Sequence, residues 1–425
     1  MADTRASRPA HPDDRGAGVV IVGASVAGVR TAQALRAEGY AGTITMLDAE
    51  SAEPYDKPPL SKNLLTGAAS ADDVRLFGEG EAHELEIDLR LGVRAVSLDL
   101  GARTVVCESG ERFPFSQLVI ASGARARRPA WASLTGVFTL RSMADAAAIR
   151  ERLVPGSTVA IVGAGFIGAE LASAAQAAGV QATLIDPLAT PLARILGSEV
   201  GALLADWHRS KVATEFGVGV TDVSPEAGSL RVTLSDGRRL NADTVLVGIG
   251  VELNVEWLLD SPIHLDGGVL CDASGRALDA WGDPVPDVFA VGDVSRWFAP
   301  GRGAHVRVEH WTNAVEQSQV VARAVVDPGG AAAHHPSFAV WSDQFGSKIQ
   351  MSGYTQAEDV VVVIDGERWV ALYADGGSLV GVVTVNWPRL QMLARRTIAS
   401  GGTRDVMVEQ AQALREHAAA ARPGG

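Results

Sequence analysis

The chain of 425 residues carries one local pattern twice. The first copy, "VVIVGASVAGVRTAQALRAEG", begins at Val19; the second, "STVAIVGAGFIGAELASAAQAAGVQATLID", runs from Ser157 to Asp186. Each reads as an apolar strand, a tight Gly-rich turn and a helix, and each closes on a second strand ending in acid: "TITMLDAE" in the first, "QATLID" in the second. A lone Gly-rich turn between strand and helix also arises from packing alone. Two turns in the same strand–turn–helix–strand–acid context point to two dinucleotide sites. In such a turn the first glycine (Gly23, Gly163) makes the bend, and the middle position (Ser25, Gly165) lets backbone approach a pyrophosphate. The third glycine (Gly28, Gly168) brings helix against strand, so that the helix N-terminus faces the phosphates. Ser25 adds only a small side chain, and its hydroxyl can itself donate to a phosphate. Two such sites in one chain predict an enzyme that passes electrons between two cofactors.

Length and composition narrow the alternatives. At roughly 150 residues per domain the chain holds about three domains. Hydrophobic residues make up 47% and charged residues 20%, an ordinary globular balance. No stretch reaches the ~18 consecutive apolar residues of a membrane span, and the polar start, "MADTRASRPAHPDDRGAG", reads as a disordered leader over 1–18, not a secretory signal. Cys107 and Cys271 are the two cysteines, far apart in sequence. That excludes a disulfide scaffold, a cysteine zinc site and a C-x-x-C pair, and it fits a reducing cytoplasm. The net charge of −13 argues against nucleic acid. An acidic protein partner would need a local basic patch to overcome long-range repulsion. The nine His are scattered, so no metal site is expected.

Further segments lie between and after the two units. "EPYDKPPLSKNLL" follows the first; "LVIASGARARRP", "TLRSMADA", "LVGIGVELNVEWL", "VFAVGDV", "VRVEHWTNAVEQ" and "WSDQFGSKIQ" follow in order. Together, from about Val19 to about Arg396, they resemble the oxygenase-coupled ferredoxin reductases, FAD- and NADH-dependent enzymes that feed rubredoxins or iron–sulfur ferredoxins. The resemblance implies an α/β fold with two Rossmann-like dinucleotide-binding domains, glutathione reductase-like, plus a C-terminal α+β domain. An FAD-binding domain is expected in two stretches, 19–128 and 254–326, with an NAD-binding domain (129–253) inserted between them. A Gly/Ala/Pro linker (327–337) and the C-terminal domain (338–425) follow. Leu253 stands where the family usually has Pro.

By this resemblance the first unit holds FAD through Gly23, Ser25, Ala27 and Gly28, with Glu50 or Asp48 on the ribose. Ala95, Ser122 and Gly123 are also expected at FAD. Arg141 should reach the pyrophosphate and Asp293 the ribityl chain, with Gly292 also at FAD. The second unit holds NADH through Gly163, Gly165, Phe166, Ile167 and Gly168, with Arg194 and Gly250 nearby. Asp186 should bond the free 2′-hydroxyl of NADH and repel the 2′-phosphate of NADPH. Lys62, in the P-P-L-S-K loop, should lie near the isoalloxazine and stabilise negative charge on reduced flavin, paired with Glu170. Glu309, His310 and Trp311 open an amphipathic helix whose N-terminus suits the flavin's pyrimidine end. Trp341 should form a second aromatic wall on the electron-exit side. Lys62, Glu170 and Trp311 are thus the expected catalytic residues. Hydride transfer from nicotinamide to flavin needs no protein acid or base.

Arg389, Arg395 and Arg396 concentrate positive charge in the helical tail "NWPRLQMLARRTIASG". They read either as solvated helix positions that complement the helix C-terminus or as the basic patch that the charge argument requires for docking an acidic ferredoxin, one serving a P450 or a dioxygenase. A monomer or homodimer without nucleic acid or membrane is expected. A disulfide reductase is ruled out by the missing dithiol, and a peroxide- or coenzyme-A-reducing relative by the absence of Cys from "SAEPYDKPPLSK". A monodehydroascorbate-type reductase of small acceptors and an apoptosis-factor-like interaction flavoprotein remain as alternatives.

Overall fold

The computed structural model describes residues 17–330 and 332–420, apart from the side chains of 417–420. All but the last two residues of the expected leader lie outside the described residues. The chain divides into two compact units, each assembled from separate segments.

Among the described residues, the first unit comprises 17–56, Arg75–Ala124 and Leu253–Pro336. In its nine-stranded sheet Val19–Val22 is an interior strand, every residue of which is buried. A continuous β-branched run is what a strand covered on both faces requires. This strand pairs in parallel with Ile44–Leu47 on one side and Gln117–Ile120 on the other, and Pro284–Ala290 pairs in parallel with the latter. Helix Val26–Ala37 buries Gly28, Thr31, Ala32 and Leu35 at helical spacing. A Cβ at Gly28 would lie 1.9 Å from the Gly23 carbonyl oxygen, so the helix sits this close to the turn only because residue 28 is glycine. Helix Trp311–Val326 packs beside it, and Ser318 Oγ donates to the Ala27 carbonyl at 2.9 Å.

The second unit comprises Lys57–Val74, Arg125–Glu252 and the residues from Ser337 on. Thr158–Val162 pairs in parallel with Gln181–Asp186 and with Thr244–Val247 in a five-stranded sheet. The C-terminal segment adds a five-stranded antiparallel sheet and the helices Pro388–Ala399 and Arg404–Ala420. Alternation along strand Arg368–Asp375 divides its two faces. Ala371 and Tyr373 pack with Leu192, Leu196 and Leu204 of the nucleotide-binding segment, whereas Val370 and Leu372 pack with Leu390, Ala394 and Met407. The C-terminal sheet therefore shares a core with the second nucleotide unit. The loop Lys57–Val74 groups here too, anchored by Leu65 among Val159, Ile161 and Leu171. No helix among the described residues is long and apolar enough to cross a membrane.

Candidate active site

The two Gly-rich turns are built by the same bonds. Gly23 N–H donates to the Leu47 carbonyl and Gly163 N–H to the Ile185 carbonyl, both at 2.7 Å. Positive φ angles of 111° and 101° at these glycines, with a Cβ placed 2.2 and 2.3 Å from a carbonyl oxygen, exclude any other residue. The acids closing the second strands also correspond. Asp48 accepts from Ala24 N–H (2.5 Å) and Glu50 N–H (2.7 Å); Asp186 accepts from Ala164 N–H and Leu188 N–H, both at 2.8 Å. Each carboxylate ties the second strand's end to the turn and keeps lone pairs for a further donor. Glu50 accepts the Tyr55 hydroxyl at 2.6 Å, and its counterpart in the second unit is Leu188.

The middle positions differ. Gly165 has φ −70°, and a Cβ there would meet no atom within 4 Å. Neither backbone strain nor protein packing requires glycine at this point. The space over the N-terminus of helix Phe166–Ala177 is what a pyrophosphate needs. Ser25, at the N-terminus of the first helix, makes no side-chain capping bond, so its hydroxyl is not committed to the helix. Ile167 is 45% exposed and Phe166 half-buried.

Within the first unit several expected residues converge. A Cβ at Gly292 would touch the Ala27 methyl at 2.8 Å, which sets the Gly292–Val294 turn against the first helix, and Gly292 N–H donates to Gln317 Oε1 at 2.8 Å. His310 caps helix Trp311–Val326, and burial lowers its imidazole pKa to about 4 against the opposing pull of Asp293. It is therefore neutral at pH 7, and its Nδ1 has no hydrogen-bond partner among the described residues. Trp311 Nε1 donates to Asp56 Oδ1 at 2.7 Å. A buried orphan nitrogen, a committed indole and a helix N-terminus suit the electron-rich edge of a planar heterocycle. Four expected residues lie elsewhere or serve the chain. The Ser122 hydroxyl donates to the Asn254 carbonyl at 2.8 Å, and Gly123 (φ 62°) accepts from Asn254 N–H through its carbonyl. Glu309 is exposed and pairs with Arg307. Ala95 is two residues beyond Val93, whose N–H donates to the Asp48 carbonyl at 2.7 Å.

Within the second unit Lys62 and Glu170 meet. The ammonium lies 2.8 Å from the carboxylate, with side-chain exposures of 15% and 2%. Glu170 also accepts from the Ser61 hydroxyl, from Ser342 Oγ (2.5 Å) and from Asp343 N–H (3.2 Å). Four donor groups, Lys62 included, surround this buried carboxylate and offset the cost of taking its charge out of water. A cleft of about 360 Å³ opens beside the pair, with Asn63, Asp343 and Lys348 among its walls. Arg141 precedes the capping box of helix Met143–Arg150, and Lys57 Nζ contacts its carbonyl at 3.5 Å. Trp341 is half-buried on the strand that supplies Ser342. Arg194 is exposed, its carbonyl accepting from Gln356, and the Gly250 carbonyl accepts from Arg127 N–H at 3.0 Å. Arg389, Arg395 and Arg396 are all exposed on helix Pro388–Ala399. Sequence reasoning misses Ser61, Ser342 and Gln344, because a small polar residue in a loop or strand carries no local signal of burial.

Residues 17–318 match the model of the pyridine nucleotide-disulphide oxidoreductase family, and residues 339–418 match the reductase C-terminal family. The chain is 36% identical to the ferredoxin–NAD(+) reductase component of an anthranilate 1,2-dioxygenase system from Burkholderia cepacia, over 91% of its own length and 95% of the relative's. It is 32% identical to rhodocoxin reductase of Rhodococcus erythropolis over 90% of this chain and 89% of that one. Among solved structures, the covalent putidaredoxin reductase–putidaredoxin complex superposes with a TM-score of 0.85 at 27% identity, covering 94% of this chain and 99% of that one. The chain belongs to the pyridine nucleotide-disulphide oxidoreductase family. It is an oxidoreductase of the branch that carries the reductase C-terminal domain, and its cofactors are FAD and NAD(H).

Both turns fit a dinucleotide: a Cβ at Gly165 would meet no atom within 4 Å, which leaves room for a pyrophosphate over the helix N-terminus, and the Gly23–Gly28 turn repeats the same strand–turn–helix geometry.

Proposed function

We propose that this protein is an NADH-dependent ferredoxin reductase that supplies electrons to an oxygenase, either a P450 or a ring-hydroxylating dioxygenase. FAD, when bound, supplies the chemistry that turns one hydride into two single electrons. The chain's own residues bind, orient and shield. Asp186 selects the nicotinamide nucleotide that has a free 2′-hydroxyl. The Lys62 ammonium, fixed by Glu170, offsets negative charge at the flavin, while Trp311 and the N-terminus of its helix serve the pyrimidine end. Trp341 lines the exit, and Arg389, Arg395 and Arg396 attract the acidic partner.

One observation carries this reading: two nucleotide cradles stand in one chain with no dithiol to take the electrons onward. Cys107 and Cys271 are buried free thiols, and burial raises the pKa of both, that of Cys271 well above the usual thiol value. Neither is a competent nucleophile or redox partner. Electrons must leave for an external acceptor, and the relatives named above include a dioxygenase component and a reductase named for its small redox partner.

The test is NADH-driven cytochrome c reduction by the purified yellow protein, with and without an added [2Fe–2S] ferredoxin. Ferredoxin should raise the rate by an order of magnitude or more. A rate indifferent to every ferredoxin of the source genome, with fast turnover of a small quinone or radical acceptor, would replace the iron–sulfur partner with a small molecule.

A further inference from the structure

Glu170 is the end of a longer chain of buried polar groups. Ser342, Gln344 and His208 are 1%, 1% and 0% exposed. Ser342 Oγ lies 2.5 Å from Glu170 Oε1, Gln344 Nε2 lies 2.9 Å from Ser342 Oγ, and His208 Nε2 lies 2.8 Å from Gln344 Oε1. Three segments contribute: helix Phe166–Ala177 gives Glu170, strand Val340–Gln344 gives Ser342 and Gln344, and helix Ala193–Arg209 gives His208.

The direction of every bond is fixed by chemistry. An ionised carboxylate only accepts, so the Ser342 hydroxyl donates to it. Ser342 oxygen then accepts from Gln344, which orients the amide with its NH2 toward Ser342 and its carbonyl toward His208. His208 Nε2 must therefore carry the proton. The imidazole is neutral, because burial lowers its pKa, and its Nδ1 has no partner among the described residues. All three bonds thus donate toward Glu170, and each polarises the next. Rings of Trp207 and Phe345, with centroids 5.4 and 6.1 Å from that of His208, enclose the far end.

We infer that Ser342, Gln344 and His208 are positioning residues, a one-way donor chain that holds the Glu170 carboxylate in place and, through it, the Lys62 ammonium. A buried carboxylate facing one cation gains from a shift or rotation toward any other donor. The chain removes that freedom on one side, as Ser61 does on the other. Lys62 is then held at a fixed position with little side-chain entropy to lose. The effect on flavin rests on the placement of Lys62 proposed above; the donor chain itself does not.

The test compares the holoprotein with Ser342→Ala, Gln344→Leu, His208→Phe and His208→Gln, and with the double variant Lys62→Met/Glu170→Gln. Gln at 208 returns an N–H donor at the place of Nε2, whereas Phe keeps the bulk and removes the donor. The flavin midpoint potential and the NADH-driven flavin reduction rate are measured, together with 15N spectra of the histidine rings. The parent should show His208 as a single Nε2–H tautomer, perturbed by Gln344→Leu. Ser342→Ala should slow flavin reduction roughly tenfold, as loss of an orienting outer partner does elsewhere. Gln344→Leu and His208→Phe should shift the potential in the same direction as the double variant, by smaller amounts, with the NADH dissociation constant unchanged and His208→Gln restored toward the parent. A parental potential in His208→Phe, or His208→Gln no better than His208→Phe, would overturn the inference. So would an Nδ1–H tautomer, which is read on the parent and needs no variant to fold. If the double variant leaves the potential unmoved, the placement of Lys62 is wrong. The tautomer and its response to Gln344→Leu then decide the donor chain alone.

Discussion

Gly163 and Gly165 stand two residues apart and answer to different constraints. At Gly163 a positive φ and a carbonyl 2.3 Å from the missing Cβ make any substitution a folding defect. At Gly165 the backbone is ordinary and the space is open, so Gly165→Ala should fold with the parental melting temperature. It should bind NADH at least about tenfold more weakly, a loss of about 1.4 kcal/mol or more, checked by equilibrium titration of the nucleotide. Equal affinity would place the pyrophosphate elsewhere. Asp186→Asn exchanges an acceptor oxygen for a donor. It should lower kcat/KM with NADH roughly tenfold, the worth of one charge-assisted hydrogen bond, while NADPH use holds or improves. These positions were legible from spacing alone, since the glycine interval and the strand-end acid are properties of a short segment. The bonds that Asp48 and Asp186 accept from the Ala24 and Ala164 amides were not, because they join residues more than twenty positions apart.

Helices and strands followed the apolar period, but what those elements do with their polar residues did not. In strand Val340–Gln344 the buried side chains are Ser342 and Gln344, and the alternation that normally marks a solvent-facing set here marks the inward one. The segment 327–337 reads as a linker, yet His334 within it is 6% exposed. Its Nε2 lies 3.0 Å from Asn313 Oδ1, and its ring stands edge-on to Trp297 at 5.5 Å. Burial lowers the His334 pKa to about 4. The unfolded chain, titrating near 6.5, therefore binds the extra proton first, so stability is complete above that pH and falls as pH drops toward 4. The slope is at most about 1.4 kcal/mol per pH unit for this group. Thermal melts between pH 7 and 5 should show a shallower decline in His334→Gln, which keeps a donor to Asn313 and does not titrate in this range. An unchanged slope would show that His334 is not buried neutral. The arginines of helix Pro388–Ala399 act at the same scale. Reversing Arg389, Arg395 and Arg396 to Glu should cut ferredoxin reduction at low salt about tenfold or more. Ferricyanide reduction by NADH should be untouched, and the difference should fade at high ionic strength.

At the scale of the whole molecule, the order of the segments was legible and their grouping was not. The loop Lys57–Val74 follows the first nucleotide unit in sequence but packs within the second, where Leu65 enters its core; of its contacts there, the family resemblance anticipated the Lys62–Glu170 pair. The C-terminal sheet likewise shares a core with helix Ala193–Arg209. Such groupings rest on contacts between distant segments, to which neither period nor motif gives access. Chemistry follows from the grouping: the lysine assigned to the flavin is held by a carboxylate of the nucleotide-binding segment, and the strand bearing Trp341 holds that carboxylate in turn. The most direct measurement is an anaerobic titration of the purified holoprotein. One equivalent of NADH should bleach the visible absorption of the oxidised flavin, and two equivalents of oxidised [2Fe–2S] ferredoxin should restore it, with one ferredoxin reduced per electron. A flavin that NADH reduces but ferredoxin leaves reduced, or a protein that binds no flavin, would contradict transfer from nicotinamide through FAD to an iron–sulfur partner.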